Sequence, residues 1–223
     1  MNKYEIVKKI ENIAPIDTQE SWDCSGWVVN MEYAEVHKIL FALTVTDDIY
    51  RQAKEKNCDM IISHHPLFYV PLEYKDINIY CAHTNFDLAQ GGTTDTLIKE
   101  LGLKKIKDEG FVRIVELERP MSVKDFREKL LKISPKLRYV NNNNIEEIKT
   151  IGFCAGSGSE FINNTKTDAF VTGDLKFHTA LDSNKVVFDI GHFESEIFAP
   201  IKLKEITQVG EKGVIADEKT PFI

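Results

Sequence analysis

Short apolar runs separated by segments of helical period recur along this whole chain, and no other feature limits its fold so tightly. Residues 4–13 carry Ile6, Val7, Ile10 and Ile13 at helical spacing and end before Pro15. An apolar run at 38–45 reads as a strand, followed by a helix at 47–56 with an acidic first turn and a basic last turn. Further strands are expected at 59–62, 77–82, 112–117, 137–140, 148–154, 169–172 and 185–190, with a short one at 213–216. Helices are expected at 93–101, stopped by Gly102, at 122–133, capped by Ser122 with Asp125 three residues on, at 175–181, and from His192. Strands that alternate with helices make an α/β protein with mixed, largely parallel sheets. The polar stretches 104–110 and 141–144 are the linker candidates. They suggest two α/β lobes, one of residues 1–103 plus 190–223 and one of residues 104–189.

With 43% hydrophobic residues among 223, the chain can bury one large core or two modest ones, which excludes a disordered chain. Its net charge of −7 argues against a nucleic-acid partner. Of the four cysteines, Cys58, Cys81 and Cys154 sit in or beside apolar runs, Cys24 has polar neighbours, and no C-x-x-C occurs. They read as reduced thiols. The first residues lack a signal-peptide core, and no stretch reaches the about twenty apolar residues of a membrane span. The chain is therefore read as soluble and cytoplasmic, with no membrane partner.

The histidines stand out by position. His64 and His65 follow the run ending at Ile62, His83 follows Tyr80-Cys81-Ala82, and His192 follows the run ending at Ile190. In open α/β sheets, sites form beyond the carboxyl ends of strands. On a regular strand two adjacent imidazoles point to opposite faces, but a strand end before Pro66 is released from that alternation. His192 and Glu196 share a helix face at four residues' spacing, and His83 and Asp87 have the same spacing on either a helix or a loop. Imidazole with carboxylate suits Zn, Fe, Mn or Ni. A lone His-His pair also occurs as plain loop polarity. The co-occurrence of H-H-P, H-x-x-x-D and H-x-x-x-E, each after a strand, points to metal without selecting the ligands.

Other motifs have two readings. Gly156-Ser157-Gly158-Ser159 after a strand suits a phosphate at a helix N-terminus, or a simple turn; it lacks the lysine of a P-loop. Gly173-Asp174 with His178 offers an acid or base, or a solvated helix start. Trp22 and Trp27, around Asp23 and Gly26, read as loop packing or as ligand contacts.

Taken in order, the motifs resemble the Nif-three-like family, whose bacterial members carry the label GTP cyclohydrolase I type 2 homolog. The resemblance rests on Trp22-Asp23-Cys24-Ser25-Gly26, Ile62-Ser63-His64-His65-Pro66, His83-Thr84-Asn85-Phe86-Asp87 with Gly91-Gly92, Gly156-Ser157-Gly158, Thr172-Gly173-Asp174 with His178, Gly191-His192-Phe193-Glu194, and Thr220-Pro221-Phe222. It spans nearly the whole chain. It implies a two-lobed α/β fold with a dinuclear metal centre whose ligands map to His64, His65, Asp87, His192 and Glu196. His83, Asp174 and His178 take supporting roles, in orienting a ligand or moving protons. It also implies a ring-shaped homohexamer with the sites facing an internal cavity. Three positions depart from the family's pattern: Cys24-Ser25 where Asn-Val is common, Thr44 where Asp is common, and Asp174 where Glu is usual. None is expected to touch a ligand, so these departures are expected to bear on substrate preference and not on metal binding.

Two functions are compatible with such a centre. The first is a hydrolase in which two divalent ions activate water against a nucleotide or another small substrate. The second is a non-enzymatic metal-binding, storage or interaction protein. A purely structural zinc site would ordinarily be closed by cysteines and histidines.

Overall fold

A computed structural model of the chain describes residues 1–222; Ile223, the last residue of the first expected lobe, lies outside the described residues. The chain opens with helix α1 (Lys3–Glu11), whose first amides are capped by the Asn2 side chain. There follow β1 (Gly26–Val29), β2 (Ile39–Ala42), α2 (Asp47–Glu55), β3 (Met60–Ser63), β4 (Asn78–Cys81) and α3 (Thr84–Leu88). Next come α4 (Thr93–Glu100), β5 (Lys105–Glu109), β6 (Val112–Ser122), α5 (Val123–Leu130), β7 (Arg138–Val140) and β8 (Glu147–Ser157). The remainder is β9 (Ala169–Gly173), α6 (Phe177–Asp182), β10 (Val186–Asp189), α7 (His192–Glu196), α8 (Ala199–Thr207) and β11 (Gly213–Ile215). Among the described residues, no helix is long and apolar enough to cross a membrane.

The contacts divide the chain into two compact units, Met1–Gly92 with the chain from Ile197 onward, and Thr93–Glu196. The expected boundaries at 103 and 190 differ from these by two helices. Both α4 and α7 pack on β8, which holds them in the second unit.

In the first unit the strand order is β1-β4-β3-β2-β11, with β11, β2, β3 and β4 parallel and β1 antiparallel at one edge. The two-residue side-chain period sends Ile39, Phe41, Met60, Ile62 and Tyr80 to one face, against Ile6, Val7 and Ile10 of α1 and Leu203 and Ile206 of α8. Leu40, Ala42, Ile61 and Ile79 face the other way, against Ile49 and Ala53 of α2. Burial on both faces explains why these strands read as continuous apolar runs. Register then decides where the site lies. Ala42 pairs with Ser63 and Ser63 with Cys81, so β2, β3 and β4 end level with one another.

The second unit has the order β5-β6-β8-β9-β10-β7. Its centre, β8-β9-β10, is parallel, and its flanking pairs are antiparallel. One face buries Val112, Ile114, Cys154, Phe170 and Val187. Both units are thus α/β with mixed sheets, as expected. Ser122 caps α5 by accepting from Asp125 N, also as expected. Residues 104–110, read as a linker, contain the edge strand β5, whose exposed charged residues mark a sheet margin.

Candidate metal centre

Because β2, β3 and β4 end in register, the turns that follow β3 and β4 emerge side by side. Past β3 the backbone stays pinned to the extension of β2: His64 N donates to Ala42 O at 3.1 Å and His65 N to Leu43 O at 2.8 Å. Past β4, His83 stands at the head of α3, and Asp87 N returns to His83 O. The spacing of His83 and Asp87 is therefore helical; Asn85 does not open a loop, because its Oδ1 accepts from His83 N and its Nδ2 donates to Ala14 O.

One ring nitrogen from each of His64, His65 and His83 lies within 4.8 Å of the other two. Their partners decide which nitrogen that is. His64, fully buried, places Nδ1 at 2.8 Å from Ala82 O, and a carbonyl only accepts, so Nδ1 carries the proton. Its Nε2 lies 3.3 Å from Asp87 Oδ1. His83 Nδ1 donates to Asp23 Oδ1 at 2.9 Å. His65 Nδ1 meets Thr44 Oγ1 at 2.6 Å. With each Nδ1 engaged by one of these partners, Nε2 is the ring nitrogen that each histidine has to offer a ligand.

Asp23 is the residue that the sequence reading passed over. Its side chain is fully buried. Its oxygens accept from Thr84 N, Thr84 Oγ1, Ser25 Oγ and Cys24 N as well as from His83. Burial alone would raise its pKa, but the hydrogen bonds from Thr84 and His83 and the charge of His83 outweigh burial and bring it down to about 2. Trp22 does not fill a loop interior. It lies 60% exposed, with its ring edge-on to His83. Trp27 lies on β1 and packs against Tyr80.

In the second unit, His192 opens α7 with its ring between two carboxylates. Nε2 lies 3.0 Å from Glu196 Oε2, one helical turn on, and Nδ1 lies 2.6 Å from Asp174 Oδ2. Burial disfavours the charged ring, yet the hydrogen bonds and charges of Glu196 and Asp174 overcome it and raise the pKa to about 9. Asp174 reaches this position from a left-handed backbone conformation, φ +50°. Such conformations in non-glycine residues cluster at functional sites.

The glycine motifs serve this arrangement, which corrects the phosphate-cradle reading. Gly156 has φ +67°, and a Cβ there would run into the Glu196 carboxylate. A Cβ on Gly173 would lie 2.6 Å from His192 N. Ser195 Oγ donates to His192 O and accepts from Gly156 N, tying the turn to α7. Turns follow β8, not a helix N-terminus, and the glycine at 156 admits the Glu196 side chain closely.

Of the eight site residues expected, the first unit gathers His64, His65, His83 and Asp87, and the second gathers Asp174, His192 and Glu196. His178 is set apart. It is exposed on α6 with its ring against Phe177, and among the described residues no hydrogen bond or ion pair joins it to Asp174 or His192. Two departures from the family's pattern also need correction, because they touch expected ligands: Thr44 meets His65, and Asp174 meets His192.

The donor types suit a divalent cation: imidazoles, each steadied at the far nitrogen, beside carboxylates. Comparison with known proteins agrees in fold and family. The family model Duf34/NIF3 (NGG1p interacting factor 3) matches residues 1–216. A Clostridium perfringens protein named GTP cyclohydrolase 1 type 2 homolog is 35% identical, over 92% of this chain and 90% of its own length. A Campylobacter jejuni protein of the same name is 31% identical, over 100% and 99%. The crystal structure of a Bacillus cereus protein related to NIF3 superposes with a TM-score of 0.87 at 20% identity, over 100% of this chain and 99% of that one. By the match over nearly its whole length, this chain belongs to the Duf34/NIF3 family.

Proposed function

We propose that this protein binds two divalent metal ions through His64, His65, Asp87, His192 and Glu196 and uses them to hydrolyse a small substrate, a nucleotide first among the candidates. The observation that carries the reading is the set of acceptors behind the imidazoles. Ala82 O holds His64, Asp23 holds His83 and Asp174 holds His192, each at Nδ1. Metal-ligating histidines are ordinarily steadied in this way, with the tautomer fixed by the partner of the far nitrogen. When bound, such a pair of ions polarises a substrate oxygen and makes water acidic near neutral pH.

The protein's own groups would do the rest. Asp23 keeps the His83 proton on Nδ1, so Nε2 is left to take a proton from water and return it to a leaving group. Asp174 orients the ring of His192, in place of the proton shuttling first suggested for it, and His178 has no part. Trp22, open to solvent beside His83, offers a flat wall to a substrate.

The test is elemental analysis after reconstitution with Zn, Fe, Mn or Ni, joined to an assay that begins with GTP because of the relatives' name. Two ions per chain and turnover are expected, both reduced in His65→Ala. Absence of metal after reconstitution would overturn the reading. Metal without turnover on nucleotides, phosphodiesters and esters would leave a metal-binding or storage protein. The cytoplasmic homohexamer belongs to the same reading, and light scattering should return the mass of six chains.

A further inference from the structure

The chain past β11 ends in a contact that the proposed function does not use. Ala216 N still pairs with Phe41 O, and Asp217 is held by Gln52 through two hydrogen bonds, Asp217 N to Gln52 Oε1 at 3.0 Å and Gln52 Nε2 to Asp217 O at 2.8 Å. The half-buried Glu218 then turns its carboxylate onto two amides just past the end of β2. Oε2 accepts from Leu43 N at 2.6 Å and Oε1 from Thr44 N at 2.9 Å. Hydrogen bonds to an ionised acceptor are short and strong, and a two-oxygen acceptor fixes direction as well as distance.

The same dipeptide holds His65 at both ends. Leu43 O accepts from His65 N at 2.8 Å, and Thr44 Oγ1 lies 2.6 Å from His65 Nδ1. A hydroxyl either donates or accepts, so Thr44 imposes a tautomer only if its own position is set. With Nδ1 against Thr44, Nε2 is the ring nitrogen that His65 can offer beside His64 and His83, whose own Nδ1 atoms meet Ala82 and Asp23. Only the tautomer with hydrogen on Nδ1 leaves His65 a lone pair there.

We propose that Glu218 is a positioning residue for His65, acting through Leu43 and Thr44 to hold the Nδ1–H tautomer, the one in which Nε2 can ligate a metal ion. Its value as a ligand-positioning device rests on the metal reading above; its effect on the tautomer does not.

The experiment is 15N NMR of histidine tautomers in the metal-free full chain, followed by Co2+ or Zn2+ affinity by chelator competition. In the wild type, His65 should carry its hydrogen on Nδ1. Thr44→Ser should keep that tautomer, whereas Thr44→Val and Glu218→Gln should shift it toward Nε2–H. Affinity in Glu218→Gln should fall about 10- to 100-fold, the usual cost of losing an outer-shell partner. The double variant should lose no more than Thr44→Val alone, since one route serves both residues. Gln52→Ala is the control for a loosened tail: it should lower the melting temperature and leave the tautomer as in the wild type. The proposal is overturned if Glu218→Gln keeps the wild-type tautomer, if Gln52→Ala shifts it equally, or if the two affinity losses multiply. A wild type that binds no metal would instead overturn the metal reading, with the tautomers still deciding the role of Glu218.

Discussion

His83 donates from Nδ1 to Asp23 at 2.9 Å, across sixty residues of sequence, and the acceptor side chain is fully buried. A carboxylate so placed keeps one imidazole nitrogen protonated and the other available. Asp23→Asn removes the charge and confuses donor with acceptor at that contact. Turnover should fall by about 100-fold or more, the lower range for a positioned acid or base. Metal content should stay at the wild-type level. Parallel loss of metal and turnover would place Asp23 among the metal's supports instead.

Gly156 and Gly210 make a controlled pair. Both have positive φ, +67° and +59°, but a Cβ at Gly210 meets nothing within 4 Å, whereas one at Gly156 strikes Glu196. Gly210→Ala should therefore cost only backbone strain, about 1 kcal/mol. Gly156→Ala should cost roughly 1–3 kcal/mol more and weaken metal binding, because Glu196 must move. Denaturant unfolding of the metal-free variants measures the first effect and chelator competition the second.

The fully buried His64 should link metal to stability. A ligand that binds only the folded state stabilises it, by about 2.7 kcal/mol at a hundredfold excess over Kd. Divalent metal should thus raise the wild-type melting temperature, and the rise should vanish in His64→Ala. An equal rise in the variant would remove His64 from the ligands.

Asp168 predicts the acid limb. Its burial works against ionisation, but hydrogen bonds from Thr150 and Lys149 prevail and hold its carboxyl below the ordinary 3.8. A carboxyl lowered in the folded state adds stability above its unfolded pKa and loses it as pH falls through the folded one. Asp168→Asn should therefore melt below the wild type near neutral pH, with the gap closing as pH drops past 3.8. A gap constant across that range would exclude Asp168 as its source.

The strands of the first unit were legible because both their faces are buried, so β2, β3 and β4 appear as unbroken apolar runs. Two of the edge strands, β1 and β5, were not. β1 is half-exposed throughout, and β5 is charged, so neither shows the apolar run that marks a buried strand. The helix of His192 and Glu196 was legible from spacing, since i and i+4 share a face in any helix.

The sequence by itself determined the α/β class, the histidines at strand ends and, through ordered motifs, the family. Those are consequences of local periodicity and of residues adjacent in the chain. Only the tertiary structure decided which nitrogen each histidine presents and what its glycines are for. Asp23 and Thr44 lie 60 and 21 residues from the rings they hold, and Gly156 lies 39 from the Ser195 hydroxyl it donates to. Such contacts depend on register between strands and on where helices pack, and a hydrogen-bond partner set by folding leaves no period in the chain for a reader to find.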